Sequence, residues 1–498
     1  MSIHLAARAE HFAKRTAIVT PEGAFTYRRL LDASHRVASF LLAGAGDLRE
    51  RPVAFLAPPG FQYVAVQWGI WRAGGIAVPL SLFYPRPELD YVLQDTDPTA
   101  VIAHPDFENL VGPLARERGL RFGLTTEALD YTPGPLPSVS QERRAMILYT
   151  SGTTGKPKGV VTTHSNLTAQ IESLVEAWEW TRDDRIVNIL PLHHVHGIVN
   201  VLSCSLWVGA LCEIPPRFDA SEVWTRIAEG GLTLFMAVPT IYVKLIEAWE
   251  RAPRADQERM SEGCARMRLM VSGSAALPVS VLLRWKEITG HVLLERYGMT
   301  EIGMGLSNPL HEERLPGHVG VPLPGVEVRR VDEKGAPLGP DTPGEIQVRG
   351  GTVFSEYWNR PDDTKNAFRD GWFLTGDVAV EERGSYRILG RSSVDIIKTG
   401  GYKVSALEIE EVLRTHPAIK ECAVVGVPDA VWGEKVSAAL VLHEGANLDI
   451  GSLRDWAKER LAPYKIPKDA LVMEELPKNA MGKVSKPSIK TLMEGKHA

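Results

Sequence analysis

Apolar positions recur at three- to four-residue spacing over 26–42, TYRRLLDASHRVASFLL, which predicts a first long helix. A short apolar run at 53–57 predicts a strand, ended by the turn Pro58-Pro59-Gly60. The alternation continues with a helix over 62–73 stopped by Gly74-Gly75, a strand over 76–80, a helix over 88–93 and a strand over 100–103. Helices alternating with short strands imply a mostly parallel sheet covered on both faces. Residues 125–145 are polar and proline-containing and read as a connector into a buried strand at 145–149. Further on, a helix is expected over 167–179. Helices at 223–228 and 241–249 flank a strand at 233–238, and another strand at 267–271 leads into Ser272-Gly273-Ser274-Ala275-Ala276. The segment 293–301, LLERYGMTE, predicts a strand ending in a turn at Gly298. Beyond residue 318 the pattern becomes β-rich. It breaks again at 390–393, after which a strand begun at 394–398, a helix at 408–413, strands at 421–425 and 438–442 and a helix at 453–460 suggest a separate compact α+β domain.

With 498 residues the chain has room for two to four domains, and 44% hydrophobic against 23% charged residues is the balance of an ordinary globular protein. A formal net charge of -5 argues against a nucleic-acid binder. Cys204, Cys212, Cys264 and Cys422 are scattered, with no CxxC pair, and read as reduced core residues of an intracellular protein. No stretch approaches eighteen apolar residues, so no membrane insertion is expected. The N-terminal segment lacks the apolar core of a signal peptide, and Glu10 weakens a transit-peptide reading, which leaves a cytoplasmic location as the expectation.

The densest chemistry lies at 146–160, MILYTSGTTGKPKGV. Gly152, Gly155 and Gly159 free the backbone to turn its N–H groups into one concavity. Thr150, Ser151, Thr153 and Thr154 add hydroxyls, and Lys156 and Lys158 add positive charge, the chemistry of a polyphosphate cradle. It is not a Walker A loop: Pro157 follows Lys156 where Ser or Thr is required, and it points to a flap between strands. His193, His194 and His196 fall at i, i+1 and i+3 with no carboxylate or Cys nearby, which favours pocket lining or packing over a metal site. The turn containing Ser274 either lines a pocket or simply joins strand to helix. Around Gly298, Tyr297 can stack on a nucleobase, Thr300 can reach phosphate and Glu301 can hold Mg²⁺ through oxygen. Asp377, after a Gly turn, suits both hydroxyls of a ribose, although an ordinary Asx turn accounts for it equally well.

In this order and spacing the motifs YTSGTTGKPKG at 149–159, RYGMTE at 296–301, GWFLTGD at 371–377, GRSSVDIIKTGGYKVSALEIE at 390–410 and PKNAMGKV at 477–484 resemble the adenylate-forming acyl-CoA synthetase family over essentially the whole chain. The resemblance implies a large N-terminal domain of stacked α/β sheets with a β-barrel-like subdomain, residues 1–391, and a small mobile α+β C-terminal lid, residues 392–498. It implies ATP and CoA as co-substrates with Mg²⁺, and Lys483, Thr154 and Glu301 as catalytic residues. ATP and AMP would be held by Thr150, Ser151, Gly152, Thr153, Thr154, Lys158, Tyr297, Gly298, Met299, Thr300, Asp377 and Arg391, with Glu301 the metal ligand. CoA would meet Gly400, Gly401 and Lys403 once the lid rotates. The family hinge pattern GRxxD is stretched by one residue here, which points to Ser392 or Ser393.

Within that family, LPLHHVHG at 190–197, FMAVPTIY at 235–242, RLMVSGSAALP at 268–278 and LLERYGMTEIGM at 293–304 are similar to malonyl-CoA synthetases. Most of the family writes a small residue before YGMTE; this chain has Arg296. A guanidinium in the acyl pocket suits a substrate with a distal carboxylate, with His196, Ser274 and Arg314 as further substrate-binding candidates, whereas a salt bridge at a surface or domain contact is the alternative use of Arg296. The implied substrates are malonate, ATP and CoA, with methylmalonate or another short acid as the alternative acyl group. The sequence leaves monomer and homodimer equally open.

Overall fold

A computed structural model of the chain describes residues 3–150, 157–429, 431–478 and 484–495. The expected first helix is observed at Tyr27–Leu42, and its N-cap Thr26 accepts the Arg29 N–H at 3.2 Å. Phe61–Arg72 is apolar almost all round and is correspondingly buried on nearly every side. It packs on Tyr27–Leu42 so closely that a Cβ on Gly69 would lie 2.5 Å from Val37.

Among the described residues the strands form four sheets. In the seven-stranded sheet Arg144–Thr150, Ile76–Pro79, Pro52–Leu56, Ala100–Ala103 and Arg121–Leu124 run parallel, and Lys158–Thr163 returns antiparallel along Arg144–Thr150. The nine-stranded sheet is parallel through Thr16–Thr20, Leu211–Glu213, Arg185–Val187, Leu234–Ala237, Leu269–Ser272 and Leu294–Met299, and antiparallel at both margins. One hydrophobic core joins these sheets through Ile18, Leu30, Val37, Phe55, Val64 and Trp68. A five-stranded antiparallel sheet centred on Gly344–Gly350 and Trp372–Glu382 follows, the β-rich part expected beyond residue 318. The last sheet, Ile396–Thr399, Tyr402–Ser405, Ile419–Asp429, Gly433–Leu442 and Asp469–Val472, carries its own core of Ile397, Ile409, Leu413, Val424 and Leu440. A large N-terminal body of sheets and helices thus precedes a small C-terminal one.

Two local expectations change. The connector at 125–145 contains a short helix, Thr125–Leu129, closed by the Glu127 carboxylate accepting the Leu124 N–H at 3.0 Å. The strand Leu294–Met299 does not turn at Gly298. It continues to Met299 and pairs with Gly303–Ser307, its register shifting between Tyr297 and Gly298. Gly298 serves close strand approach instead, because a Cβ there would lie 2.1 Å from the Gly303 carbonyl oxygen.

Candidate active site

The site gathers around Leu294–Met299, a strand of the nine-stranded sheet between Leu269–Ser272 and Gly303–Ser307. Successive side chains on a strand point to opposite faces, so Arg296 and Tyr297 serve two different neighbourhoods. Tyr297 donates its hydroxyl to Asp377 Oδ2 at 2.6 Å, and the Arg391 Nε–H meets Asp377 Oδ1 at 3.0 Å. Asp377 and Arg391 are register partners on the antiparallel strands Trp372–Glu382 and Ser385–Arg391, so the sheet itself sets their spacing. Burial, reinforced by the Asp377 charge, pushes the Tyr297 hydroxyl far above its ordinary range.

In the turn after Met299, the buried Glu301 accepts the Tyr357 hydroxyl proton at 3.0 Å on Oε1. Burial raises its carboxyl, with the Tyr357 bond opposing the rise. Lys158 stands over the Tyr357 ring, 5.1 Å from its centroid, and pairs with Asp363 at 3.2 Å. Lys158 is the register partner of Thr150, so the strands flanking the glycine-rich loop are antiparallel neighbours, as a flap between strands requires. Ser151, Gly152, Thr153 and Thr154 lie outside the described residues, as does Lys483. Among the described residues no cluster of three or more His, Cys, Asp or Glu could hold a metal. A buried hard-oxygen donor beside a polyphosphate fits Mg²⁺, which usually takes one or two carboxylates and completes its shell from phosphate and water.

On the other face, Arg296 is buried at 3% exposure. Its Nη2–H meets Ser274 Oγ at 3.3 Å, and the same hydroxyl lies 3.2 Å from His196 Nδ1. Gly273 makes the approach feasible, since a Cβ there would fall 2.5 Å from the guanidinium carbon. Ser274 adopts φ 70°, a left-handed conformation that a non-glycine residue holds only under constraint. His196 opens a π-helix, His196–Ser203, an element that recurs at functional sites. Burial, and then the Arg296 charge, keep the His196 ring neutral. Among the described residues Arg296 Nε and His196 Nε2 have no hydrogen-bond partner despite full burial. Burial pulls the guanidinium of Arg296 down to about 9. The adjacent Glu295 gives it little help. Burial pushes that carboxyl up to about 8, and its Oε1 accepts the Leu277 N–H at 2.8 Å.

Other sequence candidates are placed elsewhere. The Arg314 guanidinium donates to the Pro309, Val292 and Leu310 carbonyls, an arrangement that locks a loop and commits three of its five N–H groups. Gly400 and Gly401, at φ 56° and 84°, form the exposed tip of the hairpin between Ile396–Thr399 and Tyr402–Ser405, and Lys403 pairs with Glu333. Ser392 and Ser393 are exposed within a turn in which the Asp395 carboxylate accepts the Arg391 N–H at 2.9 Å. The sequence reading missed Lys486, a mostly enclosed ammonium 2.5 Å from Asp395 and 2.7 Å from Glu410, three positions past Lys483. Burial opposes its charge, but the two carboxylates outweigh that and hold the ammonium above its usual range.

Residues 5–358 match the AMP-binding enzyme family and residues 408–483 the AMP-binding enzyme C-terminal domain; the chain belongs to this family. Its relatives include the mitochondrial malonate–CoA ligase ACSF3 of Homo sapiens, 48% identical over 97% of this chain and 90% of the relative. Among solved structures, ATP-bound MatB from Rhodopseudomonas palustris superposes with a TM-score of 0.92 at 34% identity over 100% of both chains. The apo form of MatB, with the same identity and coverage, superposes at 0.81.

Proposed function

We propose that this chain joins malonate to CoA in two half-reactions, an acid–thiol ligation that consumes ATP and yields AMP and pyrophosphate. The observation that carries the acyl specificity is the buried, under-partnered guanidinium of Arg296 beside Ser274 and His196. A carboxylate arriving there restores the hydrogen bonds and countercharge that Glu295, held neutral, does not supply.

In the first half-reaction an oxygen of malonate's other carboxylate attacks the α-phosphorus. The new P–O bond forms as the bond to pyrophosphate breaks, leaving malonyl-adenylate. The nucleophile is already ionised, so no general base is needed; the barrier lies in bringing anions together. Tyr297, with Gly298 and Met299 beside it, presents the aromatic face for adenine, and Asp377, oriented by Tyr297 and Arg391, takes the ribose hydroxyls. Thr150, Lys158 and Thr300, with the loop 151–156, contact the phosphates, and Lys483 bridges carboxylate and α-phosphate oxygens. Mg²⁺ would be held by Glu301 and supply countercharge to the polyphosphate. In the second half-reaction the CoA sulfur attacks the acyl carbon, AMP leaves and the thiol proton is released. Residues 392–498 rotate about Ser392 or Ser393 between the two, bringing Gly400, Gly401 and Lys403 toward CoA.

Its four unpaired, buried cysteines fit a reducing intracellular compartment; the cytosol is our reading, the relative named above is mitochondrial, and cell fractionation decides between the two. No described helix is long and apolar enough to cross a membrane. The function is tested by pyrophosphate release with ATP, Mg²⁺ and CoA across malonate, methylmalonate, succinate, propionate and acetate, with the thioester identified by mass. Malonyl-CoA as the preferred product is expected; preference for a monocarboxylate would overturn the acyl assignment.

A further inference from the structure

One contact ties the C-terminal body to the turn that carries the acyl pocket. Glu411, on the helix Ala406–Leu413, accepts the Val279 N–H on Oε1 at 2.8 Å. Val279 is the first residue of the helix Val279–Thr289, where backbone N–H groups have no intrahelical partner and the helix end carries partial positive charge. The segment leading into that helix begins with Gly273 and Ser274, which hold the Arg296 guanidinium, and passes through Leu277, whose N–H is bound by Glu295. Glu411 thus closes the far end of a six-residue turn whose near end touches the distal-carboxylate pocket.

The contact belongs to one arrangement of the two bodies. Helix 406–413 lies beyond the turn at 391–395, so any rotation there carries Glu411 away from Val279. In the arrangement observed, the hairpin tip at Gly400, Gly401 and Tyr402 faces solvent, so the turn expected to greet CoA is not engaged. Among the described residues Lys403 and Glu333 form an ion pair between the bodies, but both side chains are more than half exposed and the pair contributes little. Glu411 is partly buried and pairs with Arg414 at 3.5 Å.

We propose that Glu411 is a positioning residue for adenylate formation: it latches the lid to the Val279 N–H in the arrangement that precedes CoA attack and releases when the lid turns. The proposal rests on the two-step ligase reading. It fits the better superposition on the ATP-bound relative than on the apo one, a difference between those two comparisons.

The test reads geometry and chemistry separately. Lys286→Cys and Thr415→Cys place spin labels on exposed positions of the two bodies, the native cysteines being buried. In this background, Glu411→Ala is expected to shift the interlabel distance distribution away from its docked peak. Without labels, Glu411→Ala is expected to slow malonate-dependent ATP–pyrophosphate exchange about tenfold and to leave thiolysis of supplied malonyl-adenylate within about twofold. Val279→Pro removes the donor at the first helical position, where proline is tolerated, and should reproduce the loss. The double variant should lose no more than either single, the signature of one shared contact. An unchanged distance distribution, equal slowing of both half-reactions, or additive losses would each overturn the latch. If the parent enzyme exchanges no pyrophosphate with malonate, the ligase reading falls and the distance measurement alone decides the latch.

Discussion

Replacing Arg296 by Met removes the charge while keeping much of the side-chain volume. The guanidinium is 3% exposed, has one side-chain acceptor at 3.3 Å, and leaves Nε without a partner among the described residues. A distal carboxylate bound there is fully desolvated, and stripping one partner from a buried ion pair costs roughly 3–5 kcal/mol. At about 1.4 kcal/mol per decade, malonate kcat/KM should fall by roughly two to three and a half orders of magnitude. Propionate, which has a methyl where malonate carries its second carboxylate, should hold or improve. Pyrophosphate release measured for both acids in both proteins gives the ratio directly. The variant should melt no lower than the parent, since it sheds an under-compensated buried charge, and this separates lost recognition from lost fold. A pH profile adds an internal control. Burial brings the guanidinium to about 9, so in the parent the malonate rate should decline as pH rises through that value while the propionate rate does not. If the malonate-to-propionate ratio moves less than about threefold in Arg296→Met, or both acids lose activity together, the dicarboxylate reasoning is wrong.

Glu295→Gln should be nearly neutral near pH 5 and stabilising at pH 8. The folded carboxyl sits at about 8 against an ordinary 4.5, so its favourable contribution is full below 4.5 and drains as pH climbs to 8. The melting-temperature gap should therefore widen across that window by an amount equivalent to a few kcal/mol, at about 1.4 kcal/mol per pH unit; a constant gap would refute the assignment. Lys486→Met leaves Asp395 and Glu410 facing each other in the interior, though Arg414 still pairs with Glu410 at 3.1 Å. A loss of about 3 kcal/mol in denaturant unfolding is expected, partly recovered by adding Glu410→Gln. Asp377→Ala strands Tyr297 and Arg391 and should raise the KM for ATP by about one to two orders of magnitude, with the malonate-to-propionate ratio unchanged because Arg296 points to the other face.

What could be read from the chain followed from how local the signal was. Residues 27–42 carry an apolar stripe and a capping Thr26, so pattern and chemistry agree. Arg254–Ala265 buries only Gly263 and Cys264 and shows no stripe, so apolar periodicity does not announce this helix, although its Arg, Ala, Gln, Glu and Met residues favour one. His196–Ser203 is buried at every position and is wound with i→i+5 bonds, a period outside the templates used to find helices. In the site, Tyr297, Glu301, Asp377 and Arg391 were nameable because each stands in a dense motif, and the fold brings them together. For Arg314 the sequence held no information on its neighbours: three backbone carbonyls accept from it. Glu295, Glu411 and Lys486 were passed over, since each acts on a group 18, 132 or 91 residues away, and even Glu295, inside LLERYGMTE, carries no local sign of its partner.

The small turn between the two bodies bears on how such enzymes could be recombined. Val394 and Asp395 return their N–H groups to the Arg391 carbonyl, the Asp395 carboxylate holds the Arg391 N–H, and a side chain on Gly390 would strike Asp395 at 2.3 Å. Upstream, Arg391 is committed to Asp377; downstream, Asp395 is committed to Lys486 and, through it, to Glu410. A crossover cut at Ser392 or Ser393, the intuitive seam, would therefore split a closed ring and part Arg391 from Asp395, although Asp395, Lys486 and Glu410 all stay with the C-terminal parent. For a grafted C-terminal body to inherit working geometry, residues 390–395 must travel with it as one cassette together with Lys486, the countercharge of Asp395, and the N-terminal parent must supply an aspartate at 377 for Arg391.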